Sequence, residues 1–164
     1  MHCNRRLFGI GGLLVGLLLA LASPARAVDE RNTSSGITAA GAPLAIHGYD
    51  PVAYFTESAA VEGDAEFAAV HDDATYYFAS RQNLETFQSN PARYVPAFGG
   101  FCAYGVSGGK KFDGDPRFWT VSANRLYLNL NAAIAEKFKK DVAGSIAKAE
   151  QRWQKIEHTA VGDL

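Results

Sequence analysis

Phe67-Ala68-Ala69-Val70-His71-Asp72-Asp73-Ala74-Thr75-Tyr76-Tyr77-Phe78 decides the fold class. An apolar run and an aromatic-rich run flank the short acidic connection Asp72-Asp73-Ala74, an arrangement that predicts an antiparallel hairpin. Downstream, Trp119-Thr120-Val121 and Leu126-Tyr127-Leu128 are joined by Ser122-Ala123-Asn124-Arg125 and predict a second hairpin. His71 at a strand end reads as a surface residue.

Between the hairpins, Ser80 is placed to cap a helix over residues 81–89, with Leu84 and Phe87 three apart on one face. Pro91 opens a further turn carrying Tyr94, and Pro96 ends it. The C-terminal third is helical, opened by Asn131. Ile134, Phe138, Val142, Ile146, Ala149, Trp153 and Ile156 recur at spacings of three and four, which marks an apolar stripe facing a core. Gly144 inside that run predicts a break near residues 142–145, hence two helices or one kinked helix. The expectation is an α+β fold: a small antiparallel sheet from the two hairpins, packed by a middle helix and a C-terminal helical pair, with Trp153 clamping the last helix. His158 falls in a polar tail and should be solvated.

The chain begins with Arg5 and Arg6, an apolar run over residues 7–22, and then Ala25-Arg26-Ala27. That order fits a signal peptide over residues 1–27, cleaved after Ala27 for periplasmic or secreted export by the Sec or twin-arginine route. Residues 28–43 are polar and lack apolar periodicity, so they read as a flexible linker, followed by a domain over 44–158 and a tail over 159–164. Cleavage would leave 137 residues with 13 Lys and Arg against 17 Asp and Glu, a balance that argues against nucleic acid as a partner. No basic cluster or second apolar span suggests a membrane role once the signal is removed.

Cys3 would leave with the signal, so Cys102 is the single thiol expected in the mature chain. In an oxidising compartment such a thiol is buried and inert, metal-bound, reactive, or paired with another molecule. It sits in Phe98-Gly99-Gly100-Phe101-Cys102-Ala103-Tyr104-Gly105-Val106, a glycine-rich stretch read as a loop or short strand. Upstream, Leu44-Ala45-Ile46-His47-Gly48-Tyr49 precedes Asp50-Pro51, where Asp50 reads as the cap of a short helix and Tyr49, Tyr54 and Phe55 as core. Gly105-Val106-Ser107-Gly108-Gly109 matches a nucleophile elbow but lacks the strand-turn-helix context and downstream acid and histidine. Gly108-Gly109-Lys110-Lys111 lacks the spacing of a phosphate loop, and Asp113-Gly114-Asp115 lacks the alternating acids of a calcium loop. Cys102 with His47 and Asp50 is a donor set for a thiophilic transition metal such as copper, provided the fold brings them together.

Gly48-Tyr49-Asp50-Pro51-Val52-Ala53-Tyr54-Phe55, Tyr76-Tyr77-Phe78-Ala79-Ser80, Phe87-Gln88-Ser89-Asn90-Pro91-Ala92-Arg93-Tyr94, Gly99-Gly100-Phe101-Cys102-Ala103 and Leu126-Tyr127-Leu128-Asn129 occur in order. Together they resemble the YHS-domain proteins of the exported bacterial kind, across residues 45–157. A related branch attached to heavy-metal pumps carries cysteines where this chain has Ala53, Ala79 and one of Arg81, Gln82 or Asn83, so that branch's mode of metal binding is not implied. The aromatic density and glycine content of residues 48–55 and 99–104, with no acid-base constellation, lead to the expectation of a non-catalytic exported binding or accessory module. Its pocket is expected where Gly99, Gly100, Phe101, Cys102 and Tyr104 meet Tyr49, Asp50 and Tyr54. The alternatives are a transition-metal protein using Cys102 with His47 or Asp50, and a thiol-dependent redox protein. The expected partners are a small ligand or metal ion and a further protein.

Overall fold

The computed structural model describes residues 30–164; the expected signal peptide and its cleavage point lie outside the described residues. The first hairpin pairs β1 (Asp64–His71) with β2 (Ala74–Phe78), in register from Ala68 opposite Tyr77 to His71 opposite Ala74. Its tight turn places Asp72 and Asp73 at φ 47° and 60°, the left-handed pair that suits the twist of a two-residue hairpin. The second hairpin, β3 (Asp115–Ser122) with β4 (Arg125–Asn129), turns through Ala123 and Asn124 at φ 46° and 63°.

The α+β class and both hairpins match the sequence reading, but the hairpins are two separate two-stranded ladders and not one sheet. One edge of each hairpin carries a single bridge to a neighbouring segment. Leu44 bridges Thr75 on β2, and Cys102 bridges Leu128 on β4. The hairpins therefore meet through side chains. Tyr76 and Phe78 of β2 share a core cluster with Leu126 and Leu128 of β4, and Phe87 closes it with ring centroids 5.1 and 5.0 Å from Tyr76 and Phe78. Burying Phe87 alone is worth about 1.5–3 kcal/mol.

The middle helix α2 (Arg81–Ser89) begins as expected, with the Ser80 hydroxyl accepting from the Asn83 N–H. Short helices α1 (Ala53–Thr56) and α3 (Pro91–Tyr94) lie on either side of it in sequence. The stretch after Cys102 is helical, not a loop or strand: α4 (Ala103–Ser107) is one turn capped by Cys102 itself.

The C-terminal pair is α5 (Ala132–Lys140) and α6 (Val142–Ile156), capped by Asn131 and Asp141. The break falls at Asp141, just before the window predicted from Gly144. Gly144 lies inside the first turn of α6, where a β-carbon would overlap the Asp141 carboxylate that accepts its N–H. Phe138, Ala149 and Ile156 from the stripe join Phe98, Phe101, Val106 and Tyr127 in a second core cluster. Among the described residues no helix is long and apolar enough to cross a membrane.

Residues 30–43, expected as a flexible linker, are tied to the domain at several points. Asn32 N–H donates to the Gly99 carbonyl, Thr33 bridges Ala45, Arg31 pairs with Asp72, and Thr38 bonds Thr75. His158, expected to be solvated, pairs with Glu30 at 2.7 Å while remaining exposed. A polar segment without periodicity can still be held, because its backbone and side-chain polar groups find hydrogen-bond partners on the folded domain.

Candidate functional site

Cys102 stands at the start of α4, where helices favour a side-chain acceptor for the free N–H groups of the first turn. Its Sγ accepts the Gly105 N–H at 3.4 Å, and its thiol donates to the Asn129 Oδ1 at 3.9 Å. The same Oδ1 accepts the Tyr104 N–H at 3.4 Å. Asn129 is fully buried, and its Nδ2 has no acceptor among the described residues. Burial pushes the Cys102 thiol up, against the opposing pull of the Gly105, Leu130 and Tyr104 N–H groups. The thiol is thus 1% exposed and stays protonated at neutral pH, unlike the exposed, low-pKa thiolates of redox sites.

Beside it lies a cavity of about 240 Å³ walled by Cys102, Tyr104, Gly105, Gly108, Lys110, Phe112, Leu130 and Ile134. Its surface is nearly all apolar. Gly105 makes the close wall possible, since a β-carbon there would come within 2.8 Å of the Phe112 ring. Phe112 and Leu130 are partly exposed, which keeps the mouth open to solvent.

Of the eight residues expected to form the pocket, Cys102 and Tyr104 line this cavity and the other six sit elsewhere. Tyr54 is core, its hydroxyl donating to the Pro116 carbonyl at 3.0 Å. Phe101 belongs to the second core cluster, near Trp153. Gly99 and Gly100 lie beneath residues 30–32, where a β-carbon on Gly99 would overlap the Glu30 carbonyl. Tyr49 opens on a different, polar depression with His47, Asp113, Asp115 and Arg117, and its hydroxyl reaches Glu62 at 3.3 Å.

Asp50 is a cap, as its position before Pro51 suggested, but with two further duties. One carboxylate oxygen accepts the Val52 and Ala53 N–H groups, and the other accepts from Ala79 N–H and the Asn83 amide at 2.8 and 2.7 Å. The whole residue is buried, so this carboxylate joins the start of α1 to the end of β2 and the first turn of α2. His47 Nε2 meets Asp113 Oδ1 at 2.9 Å. Cys102, His47 and Asp50 do not converge on one point: the thiol is engaged with Gly105 and Asn129, the carboxylate with Val52, Ala53, Ala79 and Asn83, and the imidazole with Asp113. Among the described residues no three His, Cys, Asp or Glu side chains converge on one point.

The sequence reading missed Lys111, which is 3% exposed. Its ammonium donates to the Glu157 and Thr159 carbonyls at 2.8 Å each, and lies 5.4 and 5.3 Å from the Phe101 and Trp153 ring centres. A lysine beside a lysine in a glycine-rich loop carries no local signal of such burial. Ile134 was legible as part of the apolar stripe, but only folding puts it on the cavity wall.

No family model matches the chain, and neither a curated protein nor a solved structure matches it. The functional reading rests on the site's geometry.

Proposed function

We propose that this chain is an exported, non-catalytic binding module of the YHS kind that takes a small, largely apolar ligand in the cavity beside Cys102. The observation that carries this reading is the cavity itself: an open, nearly all-apolar recess next to a buried thiol. Burying apolar ligand surface there would be favourable at roughly 25 cal/mol per Å² before the costs of association. The capped, buried thiol gives no support to a redox nucleophile, and the saturated Asp50 carboxylate gives none to a metal centre.

Calorimetric titration with octanol, a neutral apolar probe, tests the reading. Binding by the wild-type protein is expected, with loss in Ile134→Trp, which fills the recess. Absence of octanol binding by the wild type, or binding unchanged in a folded Ile134→Trp variant, overturns it.

A further inference from the structure

The Gly105-Val106-Ser107-Gly108-Gly109 stretch, which has no elbow geometry to serve, separates the apolar cavity from a cationic depression. Ser107 lines that depression together with Lys148, Gln151, Arg152 and Lys155, while Gly108 and Lys110 line the cavity. Between them Gly109, at φ 79°, brings its backbone beside α6, so that a β-carbon there would touch Arg152 Cδ at 4.0 Å. Gly108 and Gly109 carry no side chains, so only their backbone lies between the apolar recess and the Arg152 stem.

Lys148, Arg152 and Lys155 are spaced four and three apart on one helix face, where like charges repel. Neither lining contains an acidic side chain. Among the described residues no ion pair or hydrogen bond engages the charged ends of Lys110, Lys148, Arg152 or Lys155.

We propose that the ligand of the Cys102 cavity is a short anionic amphiphile, a hydrocarbon arm ending in a carboxylate. The arm lies against Tyr104, Phe112, Leu130 and Ile134, and the carboxylate sits over Lys110 and Arg152. This rests on the reading of the cavity as a binding site. The recess, at about 240 Å³, is smaller than the ~300–1,000 Å³ of drug-sized ligand pockets, which limits the arm to a short chain. The Arg152 stem packs beside Gly109, one residue before Lys110, and a guanidinium fork reaching from there can hold a single carboxylate by two parallel hydrogen bonds.

Calorimetric titration at low ionic strength with octanoate, octanol and acetate separates the terms. Octanoate is expected to bind the wild type at least about tenfold more tightly than octanol, and acetate not measurably. Added salt should weaken octanoate and leave octanol unchanged, because only the charged contact is screened. Lys110→Gln with Arg152→Gln should bring octanoate down to the octanol level without altering octanol. Leu130→Glu, a charge placed at an exposed rim position, should repel octanoate in the folded variant, and octanoate binding unchanged there overturns the placement of the carboxylate. Equal binding of octanoate and octanol by the wild type overturns the anionic assignment while the cavity reading survives. Acetate binding as tightly as octanoate overturns the amphiphile, and failure of both octanoate and octanol overturns the cavity reading as well.

Discussion

The side-chain amide of Asn32 donates to the Asp113 carboxylate at 2.7 Å across 81 positions of chain, and to the Gly100 carbonyl at 3.2 Å. The same carboxylate oxygen meets His47, so one acidic side chain fastens residues 30–32 over the glycine pair and ties them to the turn before Tyr49. Gly99→Ala should break this arrangement, because its φ of 61° is strained for alanine and the added methyl overlaps the Glu30 carbonyl. We expect a loss of about 2–3 kcal/mol in denaturant unfolding and faster proteolysis within residues 30–43. Unchanged proteolysis would show that those residues are not held by this contact.

Asp50→Ala should be among the most damaging single changes. It strips the acceptor from the buried Val52 and Ala53 N–H groups and from the partly buried Ala79 N–H and Asn83 amide. The expected cost is about 2–4 kcal/mol, mainly from the two buried donors left unpaired. Asp50→Asn keeps one accepting oxygen and should lose less, a ranking that thermal unfolding of the two variants checks.

Lys111→Met retains the apolar stem against Phe101 and Trp153 but removes the donor to the Glu157 and Thr159 carbonyls at the end of α6. Loss of two charge-assisted bonds predicts about 2–4 kcal/mol of destabilisation. Trp153 fluorescence should shift as well, because the ammonium lies 5.3 Å from its ring centre. A stability equal to wild type would mean that water satisfies those carbonyls equally well.

Alkaline pH should lower stability in two stages. Cys102 is pushed up by burial, whereas an unfolded thiol ionises near ~8.5, so its contribution is complete below that pH and is lost as pH climbs above it. Tyr76, buried against Phe87, is pushed up to about 12, while the unfolded phenol ionises near ~10. Its contribution, about 2–3 kcal/mol, fades between those values. Unfolding free energies measured from pH 7 to 12 should fall accordingly. Cys102→Ser should flatten the first stage, while Tyr76→Phe should shrink the second without removing it, because burial also raises Tyr54 and Tyr127.

The hairpins, the Ser80 and Asn131 caps and the apolar stripe of the C-terminal helices were legible because each depends on neighbours within a few residues. Turn chemistry, side-chain alternation and 3.6-residue spacing are local constraints. Asp50 was likewise legible as a cap from Pro51 beside it, but its bonds to Ala79 and Asn83, 29 and 33 positions away, were not. Ile134 was recognisable as apolar and Cys102 as a thiol that needed explaining, yet neither local pattern says that both border one recess.

The sequence by itself determined the class of fold, the run of its helices and hairpins, and the place of the cysteine beside a glycine pair. Tertiary structure decided that the hairpins stay separate, with Leu44 and Cys102 each bridging one edge. It also decided that Asp50 is spent on capping, that Lys111 is buried, and that the expected pocket gives way to one walled by α4, Phe112, Leu130 and Ile134. The physical reason is that hydrogen-bond saturation and cavity shape depend on groups far apart in the chain, which the fold alone brings within contact.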